Sequence, residues 1–167
     1  HRYLEEGRLD DESLGQIDPL LRSIAADLRS GGASEPAEQL GDIAHAFGLV
    51  SVQIDVEGVL PEDARVAAAF LQIIREASTN ATKHAQAHRV HVRLWQEGTD
   101  ADGIAHMTIS NDGSPAPVSY REGTGIPGMR HVAQDLGGSL EVHAAPPFTL
   151  AVSIPLNSSA TVQRRSS

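Results

Sequence analysis

At 167 residues the chain can bury one sizeable core, and with 40% apolar but only 4% aromatic residues that core must be filled by alanine, valine, leucine and isoleucine. A formal charge of −9 and the scarcity of aromatic platforms argue against direct nucleic acid binding, while the absence of cysteine excludes disulfides and suits a cytoplasmic setting. No apolar run approaches the ~20 residues that span a bilayer, and no signal peptide is visible.

In chain order, residues 11–30 read as a helix with Leu14, Ile17, Leu21, Ile24, Ala25 and Leu28 on one side, broken or started late at Pro19. Ser30-Gly31-Gly32-Ala33-Ser34 is a linker, and Pro36 opens a short helix through Leu40, Ile43, Ala44 and Phe47 to a stop at Gly48. A strand is expected over residues 50–56. Pro61, followed by Glu62 and Asp63, starts a long helix predicted to run over 61–86, since proline sets φ and first-turn acids suit the positive end of the dipole.

On that helix Phe70, Ile73, Ile74, Ala77 and Ala81 follow the i, i+3, i+4, i+7 rule and must face a core. Glu76, Asn80, Lys83 and His84 form a second stripe, rotated from the first by roughly 100° on the 3.6-residue repeat, so they flank the core and edge a cleft. Polar stripes on half-buried helices are commonly solvated faces, and each of the four taken singly reads that way. Yet Lys83 is the only lysine of the chain, and an acid, an amide, an amine and an imidazole on one side form a set that suits magnesium and phosphate.

Further strands are predicted over 89–96, 105–110, 139–144 and 149–155, the first with Val90, Val92 and Leu94 alternating against His91 and Arg93 as a sheet with one helix-covered face requires. With the amphipathic helices they make a two-layer α/β sandwich. Asn111-Asp112-Gly113 ends the strand around Met107, and the proline-bearing segment 114–122 reads as a lid. Gly123-Thr124-Gly125-Ile126-Pro127-Gly128-Met129 then turns into a second amphipathic helix with Met129, Val132, Ala133 and Leu136 on its apolar side and Gly137-Gly138 as its stop. Amides exposed by glycines at a helix N-terminus attract phosphate.

Two other readings compete. The literal G-x-G-x-x-G, with Glu141 downstream, suggests a dinucleotide-binding turn, but that needs a strand immediately before Gly123. His84, His88 and His91 have ligand-like spacing for a transition metal, although His88 and His91 lie past the predicted helix end.

In this order the three segments resemble the N box, first glycine box and second glycine box of the Bergerat-type ATP-binding fold shared by sensor histidine kinases, gyrase, the Hsp90 chaperone and mismatch-repair ATPases. Glu76-x3-Asn80-x2-Lys83-His84-Ala85 with Gly123-x-Gly125-x2-Gly128-Met129 looks most like the DesK/NarX-type histidine kinases that pair with LuxR-type response regulators. The likeness covers about residues 50 to 156.

The resemblance implies ATP and Mg2+ as cofactors. It implies Asn80 as the magnesium ligand through its amide oxygen. Glu76 would orient a metal-bound water or polarise the γ-phosphate end, and Lys83 and His84 would meet phosphate oxygens where charge accumulates during transfer. Gly123, Gly125 and Gly128 would line the triphosphate with Thr124 as an extra donor, in the loop that leads to Met129. Asn111, with Asp112 and Gly113 beside it, falls where the family usually has the aspartate that accepts from the adenine amino group, and its amide oxygen can also accept. Pro115 stands where the first glycine box has its second glycine, and Pro147-Phe148 stands where the family has Gly-Thr, with Thr149 one place late.

Phosphoacceptor histidines in these kinases are typically followed by Asp or Glu, and none of the eight histidines here is. The expectation is therefore a catalytic ATP-binding part, residues 34–156, that begins downstream of the acceptor. Residues 1–33 would be the end of the dimerisation and phosphotransfer helices with their linker or, equally, carry a helix packed on its own domain, and residues 157–167 would be a disordered tail. The parent protein would be a homodimer, membrane-attached only through upstream regions, passing phosphate to a response regulator. Rival readings are a serine kinase of the anti-sigma-factor kind and a non-catalytic interaction module with a degenerate nucleotide site.

Overall fold

A computed structural model describes residues 35–113, 125–143 and 147–156, the side chain of His84 excepted. The predicted helix over 11–30, its linker, the segment 114–122 and the tail from 157 lie outside these residues. Helix α1 spans Pro36–Gly48, strand β1 Gln53–Glu57, helix α2 Ala64–His84, strand β2 Arg89–Glu97 and strand β3 Ile104–Asn111. Helix α3 spans Ile126–Asp135, followed by β4 at Ser139–His143 and β5 at Thr149–Pro155.

The element ends depart from expectation for local reasons. Residues 50–52 are not strand, because Val50 and Val52 both donate their N–H to the carbonyl of Phe47 at 3.0 Å and Ser51 takes a left-handed φ of 69°, closing the end of α1. Helix α2 starts three residues later than predicted. Asp63 is its N-cap, its carboxylate accepting from the N–H of Arg65 at 2.9 Å and of Val66 at 3.3 Å. Its last turn closes as the N–H groups of Ala85 and Ala87 both reach the carbonyl of Ala81, with Gln86 at φ 56° ending the repeat.

The sheet has the order β1-β2-β3-β5-β4. β1 pairs parallel with β2, so α2 crosses over between them, and the other three pairings are antiparallel. Val90, Val92 and Leu94 on β2, Met107 and Ile109 on β3 and Leu150, Val152 and Ile154 on β5 are buried in one cluster with Phe47, Phe70, Ile73, Ile74, Ala77, Ala81 and Met129. The three helices among the described residues thus cover a single face, giving the two-layer α/β sandwich. The other face is polar. On it the His106 ring stacks on Trp95 at 5.1 Å and bridges Ser153 Oγ and Glu97 Oε1, each at 2.8 Å.

This topology decides where chemistry can gather. The crossover brings the C-terminal end of α2 back to the start of β2, and Val90 faces Asn111 at the end of β3. Ser110 in turn faces Thr149 at the start of β5. One pole of the sheet therefore collects the last turns of α2, the 111–113 turn and Thr149.

Candidate functional site

The second half of α2 carries the polar stripe at that pole. Glu76 is half-buried, Lys83 is exposed and Asn80 is only 7% exposed. Among the described residues the Nδ2 atom of Asn80 finds no hydrogen-bond partner, a cost that a buried amide does not bear without reason. The two ends of an amide exchange by a half-turn of the terminal torsion, so the same position presents a carbonyl oxygen to a cation.

Gly125 closes on this stripe from the other side. It precedes α3 with a left-handed φ of 102°, and a Cβ on it would overlap Glu76 Oε2 and lie 3.2 Å from Asn80 Nδ2. Only glycine permits both the backbone conformation and the approach. The carbonyl of Gly125 accepts from the N–H of Met129 at 3.0 Å to open the helix, and among the described residues no side chain caps its start. The N-terminus of α3 is thus delivered to the carboxylate and the orphaned amide, an arrangement that favours an anion bridged by a cation. Gly123 and Thr124, and the side chain of His84, lie outside the described residues.

The other predicted residues have different surroundings. A Cβ on Gly128 would meet nothing within 4 Å, so the glycine leaves open space rather than a close approach. Met129, 2% exposed, is core. Asn111 Oδ1 accepts from the N–H of Gly113 at 2.8 Å, folding the 111–113 turn on itself. Asp112 is exposed and turns back onto the start of β2, where its Oδ1 accepts from the N–H groups of His88 at 2.8 Å and Arg89 at 2.9 Å. A Cβ on Gly113 would overlap the carbonyl oxygen of Ala85. Thr149 donates its hydroxyl to the carbonyl of Pro147 at 2.8 Å.

Ser78 was not singled out in the sequence, yet it is 0% exposed and its hydroxyl also lacks a partner among the described residues. Its neighbour one turn on, Thr82, bonds the Ser78 carbonyl at 2.8 Å, a back-bond that spacing alone allows but does not require.

The competing readings find no such geometry. Among the described residues no three His, Cys, Asp or Glu side chains gather to hold a metal, and His91 instead faces Glu57 at 3.7 Å on the polar face of the sheet. Helix α3 leads into β4, whose pairing is antiparallel, not the parallel strand of a dinucleotide-binding unit. A cavity of about 370 Å³ lies at the opposite pole, lined by Leu60, Pro61, Glu62, Trp95 and Asp100, and holds no residue of the three motifs.

Residues 66–158 match the family model for histidine kinase-, DNA gyrase B-, and HSP90-like ATPases. The signal transduction histidine-protein kinase/phosphatase UhpB of Salmonella typhimurium is 31% identical over 153 residues, 91% of this chain and 26% of that protein. The sensor histidine kinase DesK of Bacillus subtilis is 33% identical over 90 residues, 51% of this chain and 22% of that protein. The chain thus spans about a quarter of the length of these relatives. Among solved structures, the histidine kinase domain of the blue-light activated histidine kinase of Erythrobacter litoralis EL346 superposes with a TM-score of 0.58 at 21% identity, covering 88% of this chain and 77% of that one. The ATP binding domain of PrrB from Mycobacterium tuberculosis gives 0.52 at 19% identity, covering 70% and 90%. At these identities the structures speak to fold alone.

Proposed function

The chain belongs to the histidine kinase-, DNA gyrase B-, and HSP90-like ATPases, and from that premise we propose that it is the ATP-binding catalytic domain of a sensor histidine kinase, presenting Mg-ATP to a histidine upstream of residue 1. The observation that carries this reading is the meeting of Gly125 with Glu76 and the unpartnered Asn80 amide at the N-terminus of α3.

That group of residues fits a magnesium nucleotide. A hard cation takes amide and phosphate oxygens, and Asn80 is a buried amide with an unused end. Bound there, magnesium would supply positive charge to the phosphate oxygens. Asn80 would hold the ion, and Glu76, fixed against the Gly125 backbone, would orient a metal-bound water. Lys83 and His84 would face the phosphates, and Gly123, Thr124, Gly125 and Gly128 would offer backbone and hydroxyl donors along the triphosphate. The base would lie toward Asn111 and Thr149. The phosphoryl group would pass to a histidine and then to an aspartate of a response regulator of the LuxR type, within a homodimer attached to the membrane through upstream regions. Among the described residues no helix is long and apolar enough to cross a membrane.

Calorimetric titration with a non-hydrolysable ATP analogue, with and without Mg2+, tests this beside Asn80→Ala. Wild type should bind in a magnesium-dependent way and the variant should lose at least about tenfold, roughly 1.4 kcal/mol. No binding by either would favour the interaction-module reading, for which the internal bonds of Asn111, accepting from Gly113, and of Thr149, donating to Pro147, are the supporting observation.

A further inference from the structure

The two ends of the proposed site sit on chain segments far apart in sequence, and where they meet one carboxylate adds two bonds to the strand pairing. Asp112 Oδ1 accepts from the N–H of both His88 and Arg89, while its own N–H donates to the carbonyl of Arg89 at 3.1 Å. Arg89 opens β2 and His88 precedes it, at the far end of the four-residue connection 85–88 from α2, the helix that carries Glu76, Asn80 and Lys83. Gly113 then lies so close to Ala85 that a Cβ on it would sit 2.7 Å from the Ala85 Cβ. Between them Gln86 holds a left-handed φ of 56°, a conformation that persists for a non-glycine residue only where its surroundings impose it.

We infer that Asp112 is a positioning residue: it clamps the 111–113 turn onto the connection that leads from the C-terminal end of α2 into β2, and so sets the distance between the base end and the phosphate end of the nucleotide site. The inference rests on the proposed nucleotide function and reassigns Asp112 from ligand contact to a bond within the chain. The carboxylate suits the task because one ionised oxygen takes two backbone donors in charge-assisted bonds. Both bonds are exposed, so water replaces the carboxylate on the two N–H groups when it is removed. Removal therefore loosens the alignment more than it unfolds the domain.

The test compares Asp112→Ala with Asp112→Asn, whose amide oxygen can accept the same two bonds. An ATP analogue with Mg2+ is titrated into each, and amide hydrogen exchange at His88 and Arg89 is followed without nucleotide. Asp112→Ala should bind about tenfold more weakly, exchange faster at both amides and melt within a few degrees of wild type. Asp112→Asn should restore binding to within about threefold and restore protection. Equal binding by wild type and Asp112→Ala, or equal loss in both variants, would overturn the inference, the second because it would mean that the charge itself meets the ligand. A wild type that binds no nucleotide overturns the proposed function instead. Even then, unchanged exchange in Asp112→Ala would show that Asp112 clamps nothing.

Discussion

The two halves of α2 are built to opposite rules. The first half is closed: Asp63 caps its start, and Val66, Ala67, Phe70, Leu71, Ile73 and Ile74 are buried among apolar neighbours. The second half buries Ser78, Asn80 and Thr82, and two of their polar atoms have no partner among the described residues. A helix that needed only to fold would continue the first pattern, since each orphaned polar atom costs about 1–3 kcal/mol. Under the proposed function the Asn80 orphan is the cost of a site, and the apolar half supplies the rigidity that would hold the site's side chains in place.

Substitutions in each half sharpen this contrast. Phe70→Ala removes a fully buried ring from the junction of α2 with the sheet and should cost about 3–5 kcal/mol, read as a lowered denaturation midpoint at unchanged slope. A loss below about 1 kcal/mol would mean that the first half is less tightly packed than its burial indicates. Gly125→Ala acts on the second half from outside. It should cost about 1–3 kcal/mol for the left-handed backbone, and the new methyl must displace the Glu76 carboxylate. Nucleotide binding, measured by titration, should fall with it. Binding retained at full strength would separate Glu76 from the site.

The apolar half was also the legible half. Its i, i+3, i+4 pattern names Phe70, Ile73 and Ile74 as core directly, and the alternation around Val90, Val92 and Leu94 places β2 within a residue of its observed end. Buried hydrophobicity misled at Val50 and Val52, which are inside because they close α1 and not because they are strand. Acids at 62 and 63 read alike as dipole partners, whereas only Asp63 caps. At the site, the stripe of Glu76 and Asn80 was visible from helical spacing. The bond of Asp112 to the start of β2 was not, because its partners lie 24 and 23 residues away and meet it only once β2 and β3 have paired.

The smallest expected effect separates the two orphaned groups. Ser78 and Asn80 share the same defect, yet two residues of helix are about 200° apart, so Ser78 lies across the helix from Asn80 and also from Glu76. By the same arithmetic it is in line with Leu71 and Ile74, both buried in the core. Ser78→Ala removes an unpaired hydroxyl and installs the better helix former, so it should stabilise the domain by up to about 1 kcal/mol. Magnesium-dependent nucleotide binding should be unchanged. Asn80→Ala, which removes the other orphan, should likewise leave the fold intact but abolish that binding. A Ser78→Ala variant that bound nucleotide more weakly at unchanged stability would mean that the site extends around the helix, and that the second half of α2 is polar on both sides for one purpose.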